Sequence, residues 1–134
     1  MKRVTGIGGV FFKARDHEKQ MEWYRAHLGI ESDAYGFAFE WRDRQDPESI
    51  GYTVWSPFKG DTDYFDPSTQ PFMVNYRVAD LDALVAALKE EGVEMVGEIV
   101  QAENGKFAWI LDPEGNKIEL WEPVPSADDP YLPG

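Results

Sequence analysis

The feature that most constrains this chain is a short module that occurs twice. Residues 10–16, Val-Phe-Phe-Lys-Ala-Arg-Asp, return as residues 74–80, Val-Asn-Tyr-Arg-Val-Ala-Asp, at a shift of 64 positions. The segment 28–31 returns as 91–94 at nearly the same shift, with its glycine kept. Each copy has the pattern of a strand, a helix and further strands. Internal repetition decides the architecture of a chain, so we expect two similar modules that face each other across a cleft.

Composition limits the classes of protein that are possible. The 134 residues suffice for one domain with a real core, and 43% of them are hydrophobic. No cysteine is present, which excludes disulfides, thiolate metal ligands and a cysteine nucleophile.

The formal net charge of −12 repels nucleic acids, which attract proteins through Lys and Arg. Such a charge is most simply explained by solubility. It is also compatible with an acidic groove that binds a cationic small molecule.

The ends of the chain and its hydropathy predict no membrane association. Residues 1–6 lack the apolar run and small-residue cleavage site of a signal peptide. Nowhere do about 18 consecutive apolar residues occur, which is roughly what a membrane-spanning helix needs. We therefore expect a cytoplasmic protein.

The first module, residues 1–58, is predicted to contain one helix and several strands. Asp16 is a helix-capping residue and Gly29 a helix stop, and apolar residues recur at helical spacing between them. The predicted elements are the strand Val4–Lys13, the helix from Asp16 to His27, and the strands Phe37–Trp41 and Tyr52–Trp55.

The second module, residues 71–125, has clearer signals, and the proline-containing segment Ser56–Gln70 joins the two modules. Asp80 is predicted to cap a helix whose apolar residues lie on one face, and Gly92 to end it. The predicted strands are Phe72–Val78, Lys106–Leu111 and Lys117–Trp121, the last two joined by a tight Pro-Glu-Gly turn. Residues 126–134 are predicted to form an extended or frayed tail.

Three segments of the second module carry a family resemblance: Asp112–Leu120, Val78–Asp82 and Glu91–Val93. Together with the repeat, they resemble the vicinal oxygen chelate superfamily, which includes glyoxalase I, extradiol dioxygenases and the bleomycin-resistance proteins. The resemblance implies an α+β fold in which two βαβββ modules form a curved mixed sheet around a cleft, with the helices on its outer face. It also implies a homodimer.

The enzymes of this superfamily hold a divalent metal on four strand positions, which correspond here to Gly9, Trp55, Met73 and Glu119. Only Glu119 supplies a ligand for a hard or borderline cation, because glycine has no side chain and tryptophan only donates hydrogen bonds. A full ligand set contributes roughly 10–16 kcal/mol to structural zinc sites, and one carboxylate cannot supply most of that. We expect neither a metal nor another cofactor.

Strand alternation places every second side chain on one face and predicts a cleft lined by aromatic and polar groups, as small-molecule sites are. The predicted ligand-binding residues are Phe11, Glu40, Thr53, Trp55, Met73, Asn75, Arg77, Trp109 and Trp121. Alternatively, Trp55, Met73 and Trp109 fill the cleft and leave a closed core. For Glu119 two roles remain open. It pairs with Arg77 or Lys13, or apolar surroundings make it a general base.

Three functions follow from the resemblance and the residues. The favoured one is a metal-independent protein that binds a small molecule, cationic or aromatic, through carboxylates and tryptophan faces. The second is a glyoxalase-type lyase or isomerase that acts on a small carbonyl compound with Glu119 as its base. The third is a degenerate module that binds a protein partner through its surface.

Overall fold

The structure is a computed structural model and describes residues 3–132. Its core element is one curved, mixed sheet of seven strands with the order β2-β3-β1-β4-β7-β6-β5. The elements in chain order are β1 (Val4–Ala14), α1 (His17–Leu28), β2 (Phe37–Arg42), β3 (Ile50–Lys59), β4 (Phe72–Val78), α2 (Leu81–Glu90), β5 (Val100–Ala102), β6 (Gly105–Leu111), β7 (Lys117–Pro123) and a short 3₁₀ turn (Ser126–Asp128).

The sheet topology confirms the predicted α+β fold and its internal repeat. In each module the first strand pairs in parallel with the last one, β1 with β3 and β4 with β7. The antiparallel pairing of β1 with β4 joins the two modules into one sheet. The second module has three strands after its helix. In the first module two strands follow the helix, and only an isolated bridge between Asp33 and Gly36 precedes them.

Local sequence signals account for the helix boundaries. The Asp16 and Asp80 side chains accept hydrogen bonds from the backbone N–H groups of Lys19 and Ala83, at 3.0 and 3.1 Å, as N-cap residues do. Gly29 and Gly92 follow the helices with φ of 70° and 80°. Glycine adopts this left-handed conformation without a side-chain penalty, so both predicted helix stops are confirmed.

Two hydrophobic cores lie on opposite faces of the sheet. Under α2, the buried residues are Val78, Leu81, Leu84, Val85, Ala108 and Leu120. On the other face, Phe11, Phe65 and Met73 form a smaller buried cluster. The cleft lies on this second face, so its floor rests on packed side chains.

Two segments predicted as irregular contribute to the structure of the cleft. The strand β3 extends to Lys59, and the segment that follows it, residues 60–71, buries Phe65 completely. Residues 126–132 contain the 3₁₀ turn and return to the sheet, where the Tyr52 hydroxyl donates to Asp129 at 2.7 Å. Of the two predicted alternatives for the tail, a frayed end is wrong for residues 126–132, since a buried hydrogen bond holds them. Residues 133 and 134 lie outside the described part of the chain.

No helix within residues 3–132 is long and apolar enough to cross a bilayer.

Candidate functional site

A cleft of about 450 Å³ opens on the face of the sheet that carries no helix. This volume lies within the range that small-molecule sites occupy. Aromatic rings form most of its walls. Its lining residues are Gly8, Phe11, Asp33, Ala34, Tyr35, Gly36, Phe37, Ala38, Tyr52, Val54, Ser56, Phe58, Tyr64, Asn75, Asn104, Phe107, Glu119, Trp121 and Tyr131. The alternative of a closed core is wrong, because the cleft keeps open space.

Glu119 is the buried carboxylate of the cleft, and only 3% of it is exposed. Its Oε1 accepts a hydrogen bond from Asn75 Nδ2 at 2.6 Å. Its Oε2 accepts one from Trp109 Nε1 at 2.9 Å and another from the Tyr64 hydroxyl. All three donors are neutral, so hydrogen bonds rather than an ion pair satisfy the carboxylate.

The sheet register brings three of these groups together. Asn75 lies opposite Glu119 in the β4–β7 pair, and Trp109 lies opposite it in the β6–β7 pair. Directly opposed residues on neighbouring strands point to the same face. Tyr64 arrives from outside the sheet, on the segment that joins the modules.

Burial changes the acidity of the groups around Glu119. Desolvation raises the pKa of Tyr64 above that of a free phenol, and the nearby Glu119 carboxylate raises it further. Lys117 lies over the rings of Tyr64 and Trp109, with its Nζ 5.3 and 5.7 Å from their centroids. Desolvation lowers the pKa of Lys117, although the charge of Glu119 acts in the opposite direction. The hydroxyl of Tyr64 therefore remains a donor to the carboxylate at neutral pH.

The orientation of the Asn75 amide follows from its contact with Glu119. Its Nδ2 donates to the carboxylate, so its Oδ1 points away and is buried without a partner among the described residues. That oxygen faces Gly8, where a Cβ would overlap it and would lie 2.9 Å from Trp121 Cε3. The absence of a side chain at position 8 therefore makes room for the Asn75–Glu119 pair.

The predicted site residues divide into three groups. Phe11, Asn75, Glu119 and Trp121 line the cleft. Trp109 contacts the cleft through Glu119, and Met73 is completely buried beneath it against Phe11. Glu40 lies opposite Tyr52 in the sheet and so shares the cleft face, but it is exposed and outside the lining.

The predicted orientation of β3 is wrong. The even-numbered residues of this strand line the cleft, whereas Trp55 packs under the helix against Phe12 and Tyr24, with centroids 5.4 and 4.7 Å away. Thr53 has the same parity as Trp55, and its hydroxyl donates to Ile7 O at 2.6 Å.

The shift of 64 positions equates Trp55 with Glu119, yet the two residues face opposite sides. Phe11 corresponds to Asn75 at the shift of 64, but Phe11 pairs with Ser56 whereas Asn75 pairs with Glu119. In the sheet Glu119 therefore corresponds to Ser56, one residue beyond Trp55, and a slip of one residue reverses every side chain of a strand.

Arg77 lies on the same face of the sheet as Asn75 but outside the cleft lining, and it packs against the aromatic residues of the wall. Its guanidinium carbon lies 4.8 Å from the ring centre of Trp121, 5.2 Å from that of Trp41 and 5.4 Å from that of Tyr52. Desolvation lowers its pKa. The expected pairing of Glu119 with Arg77 or Lys13 is wrong, because all the hydrogen-bond partners of Glu119 are neutral.

The residues of the cleft do not fit the divalent metal of the superfamily. Of the four corresponding positions, Trp55 faces away from the cleft, and Gly9 and Met73 offer no ligand for a hard or borderline cation. The oxygens of Glu119 already accept three hydrogen bonds. Among residues 3–132, no three His, Cys, Asp or Glu side chains are grouped to hold a metal.

Several residues of the cleft were not predicted, above all Tyr64, Tyr52 and Tyr131. The prediction missed Tyr52 because it assigned the wrong face of the sheet to the residues of β3. Tyr64 and Tyr131 belong to segments outside the sheet, where alternation gives no signal. One clue was present in the sequence, since Tyr64-Phe65 is an aromatic pair inside the acidic segment 61–66.

Comparison with known proteins identifies the family. A model of the glyoxalase-like domain matches residues 9–121, most of the chain. The chain belongs to the glyoxalase-like domain family, within the vicinal oxygen chelate superfamily. No curated protein matches it.

Solved structures of the superfamily have the same fold. Methylmalonyl-CoA epimerase from Mycobacterium tuberculosis is 25% identical, with a TM-score of 0.60 over 92% of this chain and 91% of that one. A variant of the Streptomyces coelicolor epimerase, in complex with 2-nitronate-propionyl-CoA, is 18% identical, with a TM-score of 0.66 over 90% and 99%. The Mn(II)-bound glyoxalase from Novosphingobium aromaticivorans is 18% identical, with a TM-score of 0.62 over 91% and 40%. This glyoxalase-like domain therefore has relatives with different chemistries on one fold.

Proposed function

We propose that this glyoxalase-like protein binds a small aromatic cation in its cleft without a metal. The observation that carries the proposal is a buried carboxylate, Glu119, held by neutral donors at the base of a cleft with aromatic walls. The proposal is supported by the net charge of −12.

The aromatic walls favour a flat, positively charged ligand. The rings of Phe37, Phe107 and Tyr131 line the cleft, whereas Arg77 already lies over those of Tyr52 and Trp121. A cation over an aromatic face gains about 0.5–2 kcal/mol, the larger value when it is desolvated. The charge of Glu119 adds to this attraction, because charges interact more strongly in a poorly solvated cleft than in water.

The proposal excludes a catalytic or structural metal because the two carboxylates of the cleft lining are Glu119, whose oxygens already accept three hydrogen bonds, and the exposed Asp33. No three His, Cys, Asp or Glu side chains of the described chain come together there to hold an ion. Dialysis against Mn²⁺, Ni²⁺ or Zn²⁺, followed by elemental analysis, is expected to leave well under one metal per chain. One equivalent of metal that disappears in the Glu119→Gln variant would refute this part of the proposal.

Three probes of similar size test the preference for a cation: N-methylquinolinium, neutral 1-methylnaphthalene and anionic 1-naphthoate. Calorimetric titration is expected to give a Kd for the cation at least about tenfold below that of the neutral compound, a difference of about 1.4 kcal/mol. The anion should bind most weakly. Equal affinities for all three probes would contradict the role of the carboxylate.

The variant Glu119→Gln tests which group provides the charge. Asn75 can rotate its amide and accept from the new side-chain amide, so the fold should persist. We expect the preference for the cation to fall about tenfold and the affinity for the neutral probe to stay within twofold. Glu40→Gln is the matched control, because Glu40 lies on the same face outside the lining and should have no effect.

A second candidate is a lyase or isomerase that removes a proton next to a carbonyl group. It is favoured by one observation: Glu119 and the Tyr64 hydroxyl are hydrogen-bonded in the cleft, which puts a carboxylate base beside a proton donor. In this scheme Glu119 Oε1 takes the proton from carbon while the electron pair of the C–H bond moves into the carbonyl group to give an enolate, and the same oxygen then returns the proton to carbon. Tyr64 donates a hydrogen bond that fixes the carboxylate.

NMR detection of solvent deuterium exchange tests this second function. The probes are methylglyoxal–glutathione hemithioacetal and methylmalonyl-CoA, whose acidic C–H bonds lie next to carbonyl groups. Exchange that is lost in Glu119→Gln would support an enzyme. Binding without any exchange would support the first proposal.

Two further expectations concern assembly and location. We propose that the protein is a homodimer and that it is cytoplasmic. Light scattering measures the mass in solution, and twice 15.3 kDa is the expected value. Fractionation of cells with an antibody to the chain tests the location.

A further inference from the structure

The C-terminal residues 126–132 contribute a wall of the cleft. We call this segment the C-terminal strap. Tyr131 belongs to it and lines the cleft. The strap is the last described part of the chain and lies outside the sheet, yet it returns over the face that carries the site.

One buried contact anchors the strap. Asp129 is only 7% exposed, and its Oδ2 accepts a hydrogen bond from the Tyr52 hydroxyl at 2.7 Å. Its Oδ1 accepts the backbone N–H of Tyr131 at 2.9 Å, which forms a turn that fixes the position of the tyrosine. A hydrogen bond to a charged group is among the stronger ones, so this contact holds a segment that is otherwise mostly at the surface.

The anchor is also part of the cleft wall. The Tyr52 ring lines the cleft and packs edge-on against Trp121, with centroids 5.3 Å apart. One side of the residue therefore faces the cleft while its hydroxyl holds the strap.

Tyr131 meets Tyr35 at the edge of the cleft. Their ring centroids are 5.7 Å apart, and the planes are tilted by 56°. Tyr35 is 71% exposed and Tyr131 is 45% exposed, while both line the cleft. Large exposure together with a place in the lining puts this pair at the boundary between the cleft and solvent.

We propose that the C-terminal strap closes the entrance of the cleft, and that Tyr131, together with Tyr35, selects ligands by size. The two rings belong to segments outside the sheet, 33–36 and 126–132. Such segments open at a lower free-energy cost than the strands. Small compounds enter the cleft past Tyr35 and Tyr131 while the strap is in place. Bulky compounds enter only after the Tyr52–Asp129 hydrogen bond breaks. The selection of ligands rests on the proposed function, but the closure of the entrance does not.

The absence of cysteine allows a direct test that needs no ligand. Ser56→Cys places one thiol on the cleft wall, and Ala26→Cys places one on the exposed surface of α1 as the reference. The two thiol reagents are methyl methanethiosulfonate, which is small, and N-(1-pyrenyl)maleimide, which is bulky. We expect the bulky reagent to react at least about tenfold more slowly with the cleft thiol than with the surface thiol.

The strap is then loosened in the Ser56→Cys background. Tyr52→Phe keeps the ring and removes the anchoring hydroxyl, and Tyr131→Ala removes the gating ring. Tyr52→Phe is expected to speed the bulky reagent by about ten- to hundredfold, the range that corresponds to one hydrogen bond to a charged group. Tyr131→Ala is expected to speed it as well, because the ring no longer narrows the entrance. The small reagent should change less than threefold. Tyr76→Phe, under α2 on the opposite face, is the matched control and should change neither rate.

Three results would overturn the proposal. The first is that the bulky reagent reacts equally fast at both thiols. The second is that the strap variants leave its rate unchanged. The third is that the variants speed both reagents equally, which would indicate loosening of the whole domain. If the labelling rates change as expected and no probe binds, the closed entrance stands and the proposed ligand is wrong.

Discussion

The two modules begin with the same local plan and end with different packing. Both helices have an aspartate N-cap and are followed by a glycine in the left-handed conformation. Yet α2 buries Leu81, Leu84 and Val85, while α1 buries no residue among those the structure describes. The caps are local and form in both helices. Burial also needs apolar residues on the helix: α2 carries Leu81, Leu84 and Val85, whereas α1 is mostly charged and polar and packs through Tyr24 on Trp55.

The same difference divides the cleft. The second module supplies Glu119 with its donors Asn75 and Trp109, while the first supplies the space at Gly8. Aromatic wall residues come from both modules. The internal repeat therefore gives the two modules the same backbone plan. Their side chains differ, so that one module holds Glu119 and the other makes room for the groups around it.

The largest expected effect distinguishes the two helices. Leu84→Ala should lower the free energy of unfolding by about 3 kcal/mol, because it opens a cavity in a closed core. Leu28→Ala, at a position 59% exposed, should change it by less than about 0.5 kcal/mol. Urea unfolding followed by circular dichroism measures both. Losses of similar size would show that α1 is packed as tightly as α2.

The next effect concerns the donors of the second module. Tyr64→Phe should cost about 1–3 kcal/mol at pH 8, because Glu119 loses a donor in a buried place. The pKa of Tyr64 is raised in the folded protein, so its stabilising effect is complete below about pH 10, where a free phenol titrates. Above that pH the unfolded chain releases the proton first, and stability falls.

Urea unfolding at pH 8 and pH 11 measures this dependence. The wild type should lose more stability than Tyr64→Phe between the two values. The variant should still lose some stability between pH 8 and pH 11, because burial also raises the pKa of Tyr52. Identical slopes for both proteins would mean that Tyr64 does not donate to Glu119.

A third prediction concerns the space that the first module provides. Gly8→Ala should cost about 1–3 kcal/mol through overpacking, because the new Cβ overlaps Asn75 Oδ1. It should also weaken binding of N-methylquinolinium, since Asn75 shifts away from Glu119. Gly60→Ala is the comparison with a smaller expected loss, because the nearest atom lies at 3.2 Å there and at 2.2 Å at Gly8. An Asn75→Ala, Gly8→Ala double variant with a smaller loss than the sum would identify the contact.

The smallest effect compares the two helix caps. Removal of an aspartate cap costs about 1 kcal/mol, and we expect this value for Asp80→Ala. Asp16→Ala should cost less, because α1 buries no residue among those described and little packing is lost when its first turn unfolds. Thermal unfolding of the two variants side by side gives the order, and a larger loss for Asp16→Ala would reverse the comparison.

Prediction from the sequence succeeded where the signal is local or is repeated along the chain. The caps, the glycine stops and the strand Phe72–Val78 follow from residue types within a few positions. The repeat gave the fold and brought Asn75, Trp109 and Glu119 onto one face. It failed for Trp55 and Thr53, because Phe11 pairs with Ser56 while the corresponding Asn75 pairs with Glu119, a difference of one residue that an alignment at one fixed shift does not include.

The sequence alone determined both helices, most of the strands, the family of folds and the presence of the Glu119 carboxylate in the cleft, because these depend on near neighbours and on a pattern used twice. Tertiary structure decided which groups satisfy that carboxylate and what covers the cleft. Tyr64 and the C-terminal strap reach the site from segments without periodicity, so no sequence spacing relates them to Glu119. Their positions follow from closing a loop and a tail over the sheet, and only the folded chain brings these distant residues together.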